Sequence, residues 1–230
     1  MSDELAPRRN RKKFRRALIF GGLVVAISGL VWVFYFSDLL TLKKISVVGN
    51  LKHTNVEEVI KSADLPAGIQ LARLDRAVVL ASLSDIPSIL DIELRRVWPS
   101  EVVLAVSERE PVLVEKRNQG WVFVAADGTV FGQLQIRPQE FLEVVVANDA
   151  ARVEAAKLLE QLPIWLQELV VLINAESSND VQLELEDGRT VVWGNSKDSE
   201  LKAQVLKALF EVDAKVLDVS APNLPVTRDK

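Results

Sequence analysis

Residues 90–106 read LDIELRRVWPSEVVLAV, and this stretch decides the fold of the region around it. Apolar and charged residues alternate from Leu90 to Leu94, which is the period of a half-buried β-strand. Trp98-Pro99-Ser100 predicts a turn, and the alternation returns from Val102 to Val106. The stretch therefore predicts a hairpin of two strands with one face against a core.

Two short helices are expected before this hairpin. Thr54 and Glu57 have the spacing of a capping box, so we expect an amphipathic helix from residue 54 to residue 62. Asp75 suits the first turn of a second helix, where a carboxylate stabilises the helix dipole. With a strand at residues 45–50, the order is β-α-α-β-β. This order predicts a small α+β domain over residues 40–109, with both helices on one face of its sheet.

An apolar segment precedes this domain. Residues 17–36 contain no charged side chain over 20 positions, which at about 1.5 Å per residue spans the roughly 30 Å hydrocarbon layer of a membrane. Residues 1–16 carry seven basic side chains against two acidic ones. The positive-inside rule therefore predicts a cytoplasmic tail at 1–16 and an extracytoplasmic chain after residue 36.

A cleaved signal peptide is the alternative interpretation of residues 17–36. The apolar run is longer than a usual signal sequence, and no A-x-A-like cleavage site follows it, so an uncleaved transmembrane helix is favoured. Gly22, Ala26 and Gly29 lie on one face of this helix. Small residues in such a row allow a second membrane helix to approach closely, and we expect this face to be a contact face.

A second, strand-rich domain is expected over residues 110–228. Its strands are predicted at 112–116, 121–125, 141–146, 169–173, 181–185, 190–193, 216–219 and 224–228. Asp127-Gly128 and Asp187-Gly188 are each flanked by apolar runs and predict hairpin turns. Helices are expected at 150–162 and 198–212, and an apolar face of the second comprises Leu201, Val205, Leu209 and Val212. The domain is thus predicted to be a mixed β domain with two helices.

The last predicted strand contains Pro225, which has no N–H to donate to a ladder. A strand from Leu224 to Arg228 is therefore expected at the edge of the sheet. Sheet edges are either protected against pairing or used to add a strand from a partner. The residues alone favour protection.

The composition argues against catalysis. The chain has no cysteine and a single histidine, His53, which excludes thiolate chemistry and leaves little for imidazole sites. Glu108 with Glu110, and Glu184 with Glu186, have strand spacing and are interpreted as solvated faces. We expect no enzyme activity, no metal, no cofactor and no small-molecule substrate. His53 is expected at the surface.

Charge and aromatic residues argue against nucleic acid binding. Without the tail, the chain has 21 basic and 30 acidic residues, a formal charge of -9, which repels phosphate. Trp98, Trp121 and Trp193 are interpreted as core or strand-end packing rather than as a platform for stacking bases.

The chain resembles the bacterial cell-division family FtsQ, also called DivIB, over nearly its whole length. The resemblance in the first domain, a POTRA domain in that family, is carried by four motifs: Ile45 to Asn50, Leu74-Asp75, Arg95 to Pro99, and Val106 to Val112. In the second domain it is carried by Trp121 to Phe131, Val192-Trp193-Gly194 before the Lys202 helix, and Asp218-Val219-Ser220. The resemblance implies a single transmembrane helix, a POTRA domain and a β domain.

The resemblance also implies a function. Members are non-enzymatic scaffolds of the divisome at the septum, in the cytoplasmic (inner) membrane, and help control septal peptidoglycan synthesis. Implied partners are FtsB and FtsL, with FtsW and FtsI among the other divisome membrane proteins. Members pair a strand of FtsB with their last β-strand, which shifts the expectation for residues 224–228 towards binding. The implied contact residues are Val216, Asp218, Ser220, Ala221, Leu224, Val226 and Arg228.

Two departures and two alternatives accompany the resemblance. Better-known members have an Arg and an aromatic residue where this chain has Ser220 and Ala221, so side-chain contacts are expected to differ there. The segment 133–149 lacks an expected Leu-Pro stretch. The alternatives are a POTRA-bearing secretion or outer-membrane assembly subunit, for which no barrel-like strand array remains after residue 110, and an anchored cell-wall enzyme.

Overall fold

The computed structural model describes residues 10–36 and 38–229, and the chain divides into two compact units. The first comprises residues up to Asp85 together with Asp91–Ser107, and the second comprises Ile86–Leu90 together with the chain from Glu108 onward. Residues 1–9 of the predicted basic tail lie outside the described residues.

Helix α1 (Asn10–Phe36) contains the predicted membrane span. Its segment Phe14–Val33 has a mean hydropathy of 2.0 and is exposed, so α1 is long and apolar enough to cross a membrane. Gly22 and Gly29 have no neighbouring atom that an added Cβ would meet. The predicted contact face of Gly22, Ala26 and Gly29 is thus open, and its role stays a prediction.

The first unit has the predicted β-α-α-β-β order. Its elements are β1 (Lys44–Val48), α2 (Val56–Ser62), α3 (Arg76–Ser84), β2 (Ile89–Val97) and β3 (Glu101–Glu108), with 3₁₀ turns at Asp38–Leu40 and Leu71–Arg73. The first two residues of β2 and the last residue of β3 belong to the second unit. The sheet order is β1-β3-β2, and β1 runs parallel to β3. Val102, Leu104 and Val106 of β3 are buried. One face of this small sheet therefore forms the core, as the alternation predicted.

Three details of the first unit differ from the sequence prediction. The N-cap of α2 is Asn55 rather than Thr54, because the Asn55 side chain accepts the Glu57 N–H at 3.0 Å. Leu90 is 61% exposed, whereas Ile89 is buried. Ile89 and Leu94 are both buried although they differ by an odd number of positions, so in a regular strand their side chains lie on opposite faces. Trp98 is 45% exposed, although packing was predicted.

The second unit is built on a nine-stranded mixed sheet in the order β12-β11-β10-β9-β8-β7-β4-β5-β6. The strands are β4 (Pro111–Arg117), β5 (Gly120–Ala125), β6 (Val130–Leu134), β7 (Leu142–Val146), β8 (Val170–Ser177), β9 (Asp180–Leu185), β10 (Thr190–Gly194), β11 (Val216–Asp218) and β12 (Val226–Arg228). Parallel pairs join β4 to β7, β7 to β8, and β10 to β11. Strand β6 was not predicted.

Helices α4 (Asp149–Gln161), α5 (Ile164–Gln167) and α6 (Ser199–Leu209) contribute to the core of the second unit, and α5 is an addition to the two predicted helices. The predicted apolar face of α6 is confirmed in part: Val205 and Leu209 pack against this core, whereas Leu201 and Val212, the latter beyond the end of the helix, are exposed. The buried side chains of α6 are Ser199, Lys202, Ala203 and Leu206. Trp193 is fully buried in this core.

Both predicted Asp-Gly turns are confirmed. Gly128 and Gly188 have φ values of +78° and +82°, a region that glycine adopts without a Cβ clash. Asp127 accepts the Thr129 N–H at 2.9 Å, and Asp187 accepts the Arg189 N–H at 3.0 Å. These turns connect β5 to β6 and β9 to β10, so local turn chemistry sets the register of two hairpins.

A candidate partner-binding edge

Strand β12 lies at one edge of the nine-stranded sheet, where the sequence predicted an edge strand. It pairs antiparallel with β11, which brings Val216 opposite Arg228 and Asp218 opposite Val226. All three residues of β12 are exposed, and the side chain of Leu224 just before it is 79% exposed. Strand β11 is anchored by Leu217, which is fully buried.

One residue of β12, Thr227, directs its backbone N–H and C=O groups away from the sheet, as the pairing of β11 shows. The Thr190 N–H donates to the Lys215 carbonyl at 2.9 Å, and the Val219 N–H donates to the Val192 carbonyl at 3.0 Å. Alternate residues of β11 therefore face β10, and Val216 and Asp218 face β12.

Because Val216 and Asp218 face β12, their partners Arg228 and Val226 direct their own N–H and C=O groups back towards β11. The Arg228 carbonyl also accepts the Lys215 N–H at 3.1 Å. Thr227 lies between these two residues, so its N–H and C=O point away from the sheet. Pro225 offers only a carbonyl on that side.

Asp218 connects several of the predicted contact residues. Its carboxylate accepts the Ser220 hydroxyl at 2.7 Å and the Ser220 N–H at 3.1 Å, and it binds the Arg228 guanidinium at 3.1 Å. The turn between the strands is closed by the Leu224 N–H, which donates to the Ala221 carbonyl at 2.9 Å. The structure thus brings Asp218, Ser220 and Arg228 together, with Ala221 and Leu224 at the turn.

A buried lysine on α6 binds the loop that follows β10, next to the β11–β12 edge. Lys202 of α6 is 2% exposed, and its Nζ donates to the Trp193 carbonyl at 3.0 Å and the Asn195 carbonyl at 2.9 Å. Burial lowers the pKa of Lys202, against the opposing effect of Asp198 and Glu154. Sequence reasoning missed this role, since lysine on a helix is usually solvated.

The lysine-bound loop touches the β11–β12 connection. Gly194 has a φ of +83°, and a Cβ placed there would lie 3.0 Å from the Ser220 Cβ. The Trp193 indole donates to the Ser199 hydroxyl at 3.3 Å, and that hydroxyl donates to the Ser196 carbonyl at 2.9 Å. The start of α6 and the end of β10 are therefore fixed where the edge loop packs.

The opposite edge of the sheet is formed by β6, which pairs irregularly. Gly132 of β6 has a φ of +66°, and the register of β5 against β6 shifts between Trp121 and Phe123. Such irregularities bend an edge strand and disfavour the addition of a further strand. Strands β11 and β12 pair without a register shift.

Of the carboxylates considered as catalytic candidates, Glu110 is exposed and Glu108 is partly buried. Glu184 and Glu186 are exposed on and just after β9. His53 is exposed, as predicted. Within residues 10–36 and 38–229, no three His, Cys, Asp or Glu side chains are gathered in the manner of a metal site.

Comparison with known proteins identifies both units. A family model described as "POTRA domain, FtsQ-type" matches residues 40–109, and one described as "Cell division protein FtsQ/DivIB, C-terminal" matches residues 112–221. Proteins named "Cell division protein FtsQ" are similar along most of their length.

The relative from Streptomyces coelicolor is 31% identical over 89% of this chain and 84% of its own. Those from Streptomyces venezuelae and Mycolicibacterium smegmatis are each 29% identical over 96% of this chain, and over 88% and 67% of their own lengths. With its apolar N-terminal helix, first α+β unit and strand-rich second unit, this chain belongs to the FtsQ/DivIB family of cell-division proteins.

Proposed function

We propose that this chain is a non-enzymatic scaffold of the divisome that binds FtsB through strand addition at β12. The observation that carries the proposal is the outward-facing N–H and C=O of Thr227 at an exposed, regular sheet edge. A partner strand that pairs there gains backbone hydrogen bonds, and its side chains alternate between the two faces of the sheet.

The charges beside the edge add specificity. Asp218 and Arg228 form an ion pair across β11 and β12, and the Arg228 side chain is about half exposed. Exposed pairs of this kind contribute about 0–1 kcal/mol and exchange partners readily. A partner carboxylate near the strand can therefore compete for Arg228, while Leu224 and Val226 offer apolar contact.

The membrane arrangement completes the proposal. Seven basic residues within 8–16 precede the apolar part of α1, which supports an N-terminus in the cytoplasm and both units outside it. Membership of the cell-division family supports a location at the division septum. The proposed domain limits are 40–109 and 110–228. Through FtsB and FtsL, and with FtsW and FtsI in the same assembly, the chain helps control septal peptidoglycan synthesis.

A pair of substitutions at Thr227 tests the strand addition. Thr227→Pro removes the outward N–H, whereas Thr227→Val keeps that donor and the branched shape of the side chain. Thr227→Pro is expected to abolish co-purification of FtsB with the full-length chain, and Thr227→Val is expected to retain it. Equal capture of FtsB by the two variants would contradict the proposed edge.

Val226→Pro serves as a different control. The Val226 N–H faces β11, so its loss weakens pairing within the chain rather than pairing with a partner. Thermal unfolding followed by circular dichroism should show a lower midpoint for Val226→Pro than for Thr227→Pro. This comparison separates loss of the partner's hydrogen bond from loss of the edge strand itself.

A further inference from the structure

The first unit begins directly at the end of the apolar helix. Helix α1 ends at Phe36 and a 3₁₀ turn begins at Asp38. Leu40, Thr41 and Leu42 are already buried. The Leu42 N–H donates to the Ile69 carbonyl at 2.8 Å, and Thr41 pairs with Gln70. The chain therefore passes from α1 into the core of the unit within a few residues.

Four surface segments lie at the end of the unit from which α1 leaves. Both 3₁₀ turns, Asp38–Leu40 and Leu71–Arg73, contact α1. The Gly68 N–H donates to the Leu42 carbonyl at 3.4 Å, which places the loop 66–68 at the same end. The N–H groups of Lys43 and Lys44 donate to the Ser100 carbonyl at 2.9 and 3.2 Å, which places the turn 98–100 there as well.

These segments expose apolar and aromatic side chains. Leu39 is 60% exposed and Trp98 is 45% exposed. Pro66 and Ala67 are exposed at the tip of their loop. Tryptophan is enriched at membrane–water interfaces, where its amphipathic ring sits at the level of the headgroups.

We propose that this end of the first unit rests in the headgroup layer of the bilayer, with Leu39, Ala67 and Trp98 inserted at the lipid interface. We call these three residues the lipid-facing base. The proposal requires α1 to span the membrane. The occupant follows from chain continuity, since the bilayer surface lies where α1 emerges, and one residue separates α1 from the turn that carries Leu39. In this proposal, Trp98 of the Arg95-Arg96-Val97-Trp98-Pro99 motif contacts lipid as well as forming part of the turn.

Site-directed spin labelling of the full-length chain tests the proposal, since the sequence contains no cysteine to remove. Single cysteines replace Leu39 or Ala67, and Leu90→Cys is the matched control. Leu90 is 61% exposed, as Leu39 is 60% exposed, but it lies near the start of β2. Strands β1 and β3 run away from the base, and we infer that β2 begins at the far end of the sheet. Ile27→Cys in α1 reports on the span itself.

Each labelled protein is reconstituted in nanodiscs of phosphatidylglycerol and phosphatidylcholine. Power saturation then compares collisions of the label with oxygen, which concentrates in lipid, and with a water-soluble nickel chelate. Labels at positions 39 and 67 are expected to favour oxygen, and the label at 90 is expected to favour nickel. Labels at 39 and 67 that match the label at 90 would overturn the proposal, while a nickel-favouring label at 27 would overturn the span.

The contribution of Trp98 is tested with the label at position 67. Trp98→Ser is expected to shift that label towards the nickel access measured at position 90, whereas Trp98→Tyr keeps an amphipathic ring and is expected to leave the label in lipid. Unchanged access in Trp98→Ser would overturn the role of Trp98. If Trp98→Ser fails to fold, Trp98→Gln and Trp98→Tyr provide the same comparison.

Discussion

Replacing Lys202 with methionine is expected to destabilise the second unit by about 2–4 kcal/mol, since hydrogen bonds from a charged donor contribute about 1.5–3 kcal/mol each. Lys202 makes two such bonds, to the carbonyls of Trp193 and Asn195. Methionine fills the space of the aliphatic stem but leaves both carbonyls without the ammonium. Part of the loss is offset because a buried charge no longer has to be desolvated.

The assay is urea unfolding of the full-length chain in detergent, followed by tryptophan fluorescence. Trp193 is fully buried and its own carbonyl accepts a bond from Lys202, so it reports on the region that changes. Lys207→Met is the matched control, because Lys207 lies on the same helix and is exposed. Its effect is expected to stay within about 0.5 kcal/mol. Equal free energies of unfolding for the two variants would refute the reasoning.

Lys202 is also expected to make the stability of the unmodified chain depend on pH, and Lys202→Met tests this. Burial lowers the pKa of Lys202 from its ordinary value of 10.5, so the unfolded chain binds more protons between the folded pKa and 10.5. The free energy of unfolding therefore rises with pH within that window. The stability that comes from the neutral form of Lys202 is fully present above pH 10.5 and is lost as the pH falls through the folded pKa. Lys202→Met is expected to remove this rise, while Lys207→Met keeps it. A rise that persists in Lys202→Met would have to come from another group.

Two further substitutions probe the second unit by urea unfolding. Arg152→Met is expected to cost about 3–5 kcal/mol because it leaves the buried Glu115 carboxylate with only the half-exposed Arg117 as an ion-pair partner. The Arg152 guanidinium binds Glu115 at 2.6 Å, and both side chains are buried. Arg117→Met, at a half-exposed partner of Glu115, is the control and should cost about 1 kcal/mol or less; an equal loss would contradict the buried-pair argument. Gly194→Ala is expected to destabilise more than Gly188→Ala, although the φ values are +83° and +82°, because only the first Cβ meets Ser220. An equal loss of unfolding free energy in the two alanine variants would show that backbone strain, and not the contact with Ser220, determines the effect at Gly194.

Local signals predicted the turns and the edge strand well. Asp127-Gly128 and Asp187-Gly188 form their hairpins because a left-handed glycine and a carboxylate acceptor act within four residues. Pro225 marked the edge because it lacks a donor. These features depend on neighbours in sequence, so the sequence alone contains the information.

Other features depend on contacts between distant parts of the chain. Lys202 was counted as a polar residue of α6, and its buried position requires the carbonyls at the end of β10. Strand β6 escaped prediction because Gly132 and Gln133 interrupt its apolar pattern. The outward direction of Thr227 follows from the pairing of β10 with β11, and no pattern within residues 224–228 reveals it.

The buried segment Leu40–Leu42 also affects how the protein meets other single-span proteins. A domain on a flexible tether samples a deep volume above the bilayer, whereas this unit starts within a few residues of α1 and, with α1 spanning the membrane as proposed, stays in a thin layer. Partners anchored in the same membrane would then meet this unit by diffusion in two dimensions rather than three. Weak contacts that would dissociate between freely diffusing proteins can persist under that confinement.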